Sequence, residues 1–263
     1  MPADLTPPFD PSAFREQGHH VVELLAEHLE QANRREGPVL PPWSPAESLQ
    51  RWPADFGAAP AGDPSELLAR VIESSNHLHH PRYIGHQCTS PLPWSAMLDF
   101  AGAFLNNGSA VYEMGPHSTA MERAVARWFA GRIGFNPELA DGFFTHGGSA
   151  GNLTALLAAR QSGTPYDVWE EGVKDAAKLC VMSPDTTHYS VRRSAQVIGL
   201  GGRQVIPIAT DARFRMIPAE LAKALKQAKA EGRSVLAVVA SAGSTATGAI
   251  DPLDAVADLC AEQ

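Results

Sequence analysis

The sequence predicts an α/β fold with a largely parallel sheet, and three observations carry that expectation. From about His80 onward, helical and strand patterns alternate along the chain. Residues 234–240, Ser-Val-Leu-Ala-Val-Val-Ala, are almost continuously apolar, as a parallel strand covered on both faces is. Residues 145–160 set a turn, Thr-His-Gly-Gly-Ser-Ala-Gly-Asn, directly before a strongly helical apolar run. Such a turn leaves backbone N–H groups free at a helix N-terminus, where the helix dipole favours an anion. Ser149 adds a hydroxyl, and the glycines allow close approach of a phosphate. By itself the stretch reads equally as a capped helix after an ordinary loop.

Residues 11–35 read as an amphipathic helix, with Phe14, Val21, Val22, Leu25 and Leu29 at helical spacing. The passage Gly37-Pro38-Val39-Leu40-Pro41-Pro42-Trp43 must be extended, because proline restricts itself and its predecessor. A short helix is expected over 64–75, with Leu67, Leu68, Val71 and Ile72 on one face. These helices cannot bury much alone and need another surface to pack on. Residues 121–135 follow as a helix with a stripe of Met121, Val125, Trp128, Phe129 and Ile133. Strands are expected at 179–182 and 204–209. Between them and the apolar strand lies a helix over 218–231, opened by Pro218 and stopped by Gly232, with Lys223, Lys226 and Lys229 outward. A last helix over 252–260 turns Leu253, Val256 and Cys260 inward. In a βαβ unit that helix leads to another parallel strand, so the sequence reads as interrupted within a domain.

Composition narrows the function. The 263 residues are 44% hydrophobic and 19% charged, enough for a real core, and the net charge of -8 argues against a nucleic-acid partner. Three separated cysteines, Cys88, Cys180 and Cys260, suit free thiols in a reducing cytoplasm. Neither a signal peptide nor an apolar run long enough to span a membrane is evident.

Three polar clusters follow predicted strands, where ligand loops of α/β sheets gather. They are residues 146–152, the run Ser183-Pro-Asp-Thr-Thr-His188-Tyr-Ser190, and the run Ser241-Ala-Gly-Ser-Thr245-Ala-Thr-Gly-Ala-Ile-Asp251-Pro252. With His80-Pro81-Arg82-Tyr83 upstream, their order resembles the first half of the group II pyridoxal-phosphate-dependent decarboxylases. That family includes the glutamate, aromatic-L-amino-acid and diaminobutyrate decarboxylases.

The resemblance implies an incomplete large domain of the type I, aspartate aminotransferase-like fold over residues 81–263, preceded by a helical strap over 1–80. It implies pyridoxal 5'-phosphate as cofactor and an L-amino acid as substrate. Gly148 and Ser149 match the phosphate turn, and His188 the catalytic histidine that stacks on the cofactor ring. Thr245 matches a threonine beside the ring, and Asp251 an acidic cofactor-binding residue. His86 and Thr89 match the loop that helps hold the substrate carboxylate. The family's pyridine-nitrogen aspartate and its His-Lys pair have no match. None of the five lysines, Lys174, Lys178, Lys223, Lys226 and Lys229, has the context of a catalytic amine. A homodimer, or association with a chain carrying the remaining half, is expected, in the cytoplasm. No metal is expected, because His77, His79, His80 and His86 fit no zinc spacing. Two other readings stay open: an aminotransferase or other lyase on the same fold, and a non-catalytic remnant or partner-binding subunit.

Overall fold

Proline sets the helix starts. The computed structural model describes residues 9–52 and 64–262, and six of the helices among them begin on proline. A proline at the first helical position gives up an N–H that has no intrahelical acceptor anyway, and its φ is already helical. The chain divides into two compact units, Met1–Asn106 and Asn107–Gln263. The first carries α1 (Pro11–Asn33), α2 (Pro45–Gln50), α3 (Pro64–Glu73) and α4 (Pro93–Leu105). Asp10 caps α1 by accepting from the Ser12 N–H. Ser44 and Glu47 form a reciprocal capping box on α2. Neither α2 nor α4 was expected from hydrophobic spacing.

The apolar faces of these helices stay largely exposed. On α1 it is Ala32 that is buried, whereas Phe14, Val22 and Leu25 are exposed. Phe14 instead meets the rings of Phe100 and Phe104 on α4. On α3, Leu68 and Ile72 are half-buried while Leu67 and Val71 are exposed.

The second unit opens with α5 (Pro116–Arg132) and α6 (Gly148–Gly163), followed by the short α7 (Val168–Glu171). The α5 stripe from Met121 to Ile133 is exposed, and only Ala130 of that helix is buried. Then comes a three-layer sandwich built on β1 (Leu179–Pro184), α8 (Tyr189–Val197), β2 (Val205–Ile208), α9 (Pro218–Ala230), β3 (Ser234–Val238) and α10 (Leu253–Ala261). The sheet is parallel throughout, in the order β2-β1-β3.

Strand β1 is buried at every position. Because successive side chains of a strand point to opposite faces, it feeds two cores. Cys180 and Met182 join Ile208, Met216, Leu221, Leu225 and Val256 on the side of α9 and α10. Leu179 and Val181 join Leu156, Val191, Ala195 and Ile198 on the side of α6 and α8. The expectation that residues 234–240 are covered on both faces is corrected: β3 is half-buried at most positions. It is an edge strand among the described residues, with β1 on one side only. On α10, Val256 and Leu259 pack inward, while Leu253 and Cys260 are exposed. No helix among the described residues is long and apolar enough to cross a membrane.

Replacing Leu221, which has no exposed surface, by alanine leaves a cavity under β1. We expect Leu221→Ala to lower unfolding stability by about 2–5 kcal/mol, read as a fall in the urea midpoint. Beyond β2, Asp211 accepts from the Arg213 and Arg215 N–H groups and, at 2.9 and 2.7 Å, from the Arg215 guanidinium. These partners pull its carboxyl down to about 2 from 3.8. A carboxyl held below its unfolded value stabilises the fold above that value and ceases to do so as it protonates. The Arg215 amide should therefore exchange faster as the pH falls from about 3.8 towards about 2. Unchanged protection across that interval would contradict this account.

Candidate functional site

Strand order locates the site. The chain leaves β1 for β2 on one side, then returns to place β3 on the other. Ligands of open α/β sheets bind at such a reversal, outside the carboxyl ends of the diverging strands. A cavity of about 170 Å³ lies there. Thr187, His188 and Val191 line it after β1, and Val239, Ala240, Ser241, Gly243, Ser244 and Thr245 after β3. Asn152 of α6 completes the wall. The structure thus brings His188 and Thr245 together at one cavity.

Gly148 and Ser149 form the first turn of α6, and Asn152 follows one turn later. The N-cap position is Gly147, at φ 97°, a left-handed conformation that favours glycine. No side chain caps this helix. Among the described residues, no acceptor takes the N–H of Gly148 or of Ser149. Nothing lies within 4 Å of where a Cβ on Gly148 would stand. An open helix start with free donors and room in front of them is what a phosphate needs.

His188 is the N-cap of α8: its Nδ1 accepts from the Ser190 N–H at 3.3 Å. Ser190 Oγ lies 2.7 Å from the same nitrogen, and Asn152 Nδ2 donates to that hydroxyl at 2.8 Å. Thr187 carries a buried Oγ1 with no protein partner. Asn152, Thr187 and Ser190 were given no role from sequence. The signal for Ser190 was available, since a residue two positions after an N-cap presents its N–H to the capping side chain.

Asp251 has a different placement. Its carboxylate is 3% exposed and accepts from the Met216 and Ser241 N–H groups, each at 2.6 Å. It does not line the cavity. Both oxygens are spent on backbone donors, so Asp251 closes the base of the finger formed by residues 241–251. Within that finger the Gly243 and Ser244 N–H groups donate to Ala249 O, and Gly243 and Gly248 adopt positive φ. The finger holds Thr245 at the cavity wall.

His86 and Thr89 belong to the first unit. His86 lines a separate cavity there with Leu40, Asn76, Tyr83 and Gln87, and Thr89 is exposed. The neighbouring histidines serve the backbone: His77 Nε2 meets Ile72 O, His79 Nε2 meets Pro91 O, and His80 Nδ1 accepts from the Arg82 N–H. Among the described residues no group of three His, Cys, Asp or Glu side chains is arranged to hold a metal ion. No lysine borders the cavity after β1 and β3. Lys174, Lys178 and Lys223 pair with Glu171, Asp175 and Glu220, and Lys226 and Lys229 are exposed on α9.

The family model for the pyridoxal-dependent decarboxylase conserved domain matches residues 61–263. Acidic amino acid decarboxylase GADL1 of Bos taurus is 35% identical over 222 residues, which cover 83% of this chain and 42% of that protein. The aromatic-L-amino-acid decarboxylase of Bacillus atrophaeus is 29% identical over 95% of this chain and 50% of its own length. The crystal structure of mouse CSAD superposes with a TM-score of 0.88 at 29% identity, covering 96% of this chain and 53% of that one. The chain spans about half the length of the curated relatives it matches.

The clamp at Asp251 makes a prediction independent of any ligand. Asp251→Ala strands two buried N–H groups, and we expect a loss of about 2–4 kcal/mol in unfolding stability. Asp251→Asn, which keeps one acceptor oxygen, should lose less. Equal midpoints for the alanine variant and the parent protein would refute the clamp.

Proposed function

Because this chain belongs to the pyridoxal-dependent decarboxylase family, we propose that its second unit holds the phosphate and ring end of a pyridoxal 5'-phosphate site for decarboxylating an L-amino acid. The observation that carries this reading is the open start of α6, one turn from a cavity at the sheet's reversal point. Gly148 and Ser149 would bind the phosphate through their unpaired N–H groups and the Ser149 hydroxyl. His188 would lie against the ring and hold a proton at the cavity that Thr245 also lines. Pyridoxal phosphate, when bound, supplies an electron sink for the pair that departing CO₂ leaves behind.

The phosphate and ring end fit the residues present, whereas the amine that anchors the cofactor does not come from this cavity's wall. The anchoring lysine would come from a chain carrying the rest of the relatives' length, since a second copy brings only the same five lysines. The exposed apolar residues Trp94, Phe100 and Phe104 on α4, and Trp128 and Phe129 on α5, support packing against such a partner. His86 and Thr89 would serve the substrate carboxylate in the assembled enzyme. The three free cysteines support a cytoplasmic location.

Titrating the chain with pyridoxal phosphate, with inorganic phosphate as competitor, tests the binding claim. Ser149→Ala should weaken binding about tenfold, the usual weight of one hydrogen bond to a charged group. Gly148→Asp, which sets a carboxylate against the phosphate, should abolish it. Unaltered affinity in both variants would move the cofactor elsewhere. Release of CO₂ from an amino acid by the assembled enzyme, rather than transfer of its amino group, would separate decarboxylase from aminotransferase.

A further inference from the structure

We propose that Asn152 and Ser190 are positioning residues that hold His188 as its Nε2–H tautomer, so that the ring offers the cavity a hydrogen-bond donor. The proton count runs along three side chains of one unit. The Ser190 backbone N–H can only donate, and it donates to His188 Nδ1. Nδ1 must therefore carry a lone pair, and the neutral ring keeps its proton on Nε2. The Ser190 hydroxyl adds a second donor at 2.7 Å from Nδ1. Asn152 Nδ2 donates to that hydroxyl at 2.8 Å, occupying an oxygen lone pair and leaving the Ser190 proton for the histidine. Donation therefore runs in one direction, from Asn152 to Ser190 to His188.

Ser190 is 1% exposed, so solvent has no access that would reverse the chain. With Nδ1 committed to the start of α8, Nε2 is the ring nitrogen left for whatever enters the cavity that His188 lines. It would meet an acceptor atom, an oxygen or unprotonated nitrogen, and would turn away a donor. Asn152 is carried by α6, the helix whose first turn has the unpaired N–H groups. One rigid element therefore sets both the anion end of the cavity and the polarity of its histidine. The importance of this polarity for catalysis rests on the pyridoxal phosphate reading above, but the tautomer itself does not.

The test uses the full chain labelled with ¹⁵N-histidine, without ligand, in a long-range proton–nitrogen NMR experiment. The His188 signals are those missing from His188→Gln. In the parent protein we expect a protonated Nε2 and an unprotonated Nδ1. Ser190→Ala removes the hydroxyl, and Asn152→Asp replaces a donor with an acceptor that draws the Ser190 proton away. Each should lower the ratio of Nε2–H to Nδ1–H about tenfold, so that an Nδ1–H form grows in. Ser190→Thr keeps the hydroxyl and should restore the parent pattern. A parent protein with the proton on Nδ1 would overturn the proposal without recourse to any variant. So would a tautomer ratio left unchanged in both Ser190→Ala and Asn152→Asp. Failure of pyridoxal phosphate to bind would count against the functional reading and leave the tautomer result standing.

Discussion

The second unit depends on the complete burial of β1. A strand with no exposed position must pair its backbone on both edges, because an unpaired N–H or C=O away from water carries a heavy desolvation cost. It therefore needs a neighbour on each side, and β2 and β3 take those places. Placing successive strands on opposite sides of the first opens a gap between the loops that leave β1 and β3. The cavity is that gap. Its wall comes from loops, but its position follows from where an apolar strand has to sit.

Much of this was legible because apolar runs and helix punctuation have simple physical causes. The strands are short and apolar, and α9 announces itself through Pro218 and Gly232, the latter at φ 66°. Helix α8 was not legible. Its buried face is Ser190, Val191, Ser194 and Ala195, small residues of which half are polar, so the hydrophobic period is weak. Helix α4 is apolar on nearly every side, so period offers no contrast there. The apolar stripe on α5 was legible, but its residues are exposed. Periodicity reports which side chains lie together, not what covers them.

The candidate site divides along the same line. Sequence order brought the His188 and Thr245 loops into one reading, and the sheet places both at one cavity. The resemblance implied a cofactor-binding role for Asp251, and in the structure its carboxylate accepts from two backbone amides. An acidic residue that closes a loop and one that meets a cofactor look alike until their acceptors are counted. Asn152 was hidden for the opposite reason. It sits inside the glycine-rich run at the start of α6, yet its work is done through the hydroxyl of a residue on another helix.

The order of the strands also bears on how this unit comes into being. The central strand, β1, precedes both of its neighbours in the chain. During synthesis it can collapse against α6 and α8, then accept β2 and finally β3, each pairing with a template already in place. Every closure after the first is short in sequence, which keeps the entropic cost of each step low. The finger that follows β3 can close only after β3 has docked, so the cavity wall takes shape after the central strand pairings. Maturation of the binding surface is thus tied to the direction in which the polypeptide emerges from the ribosome.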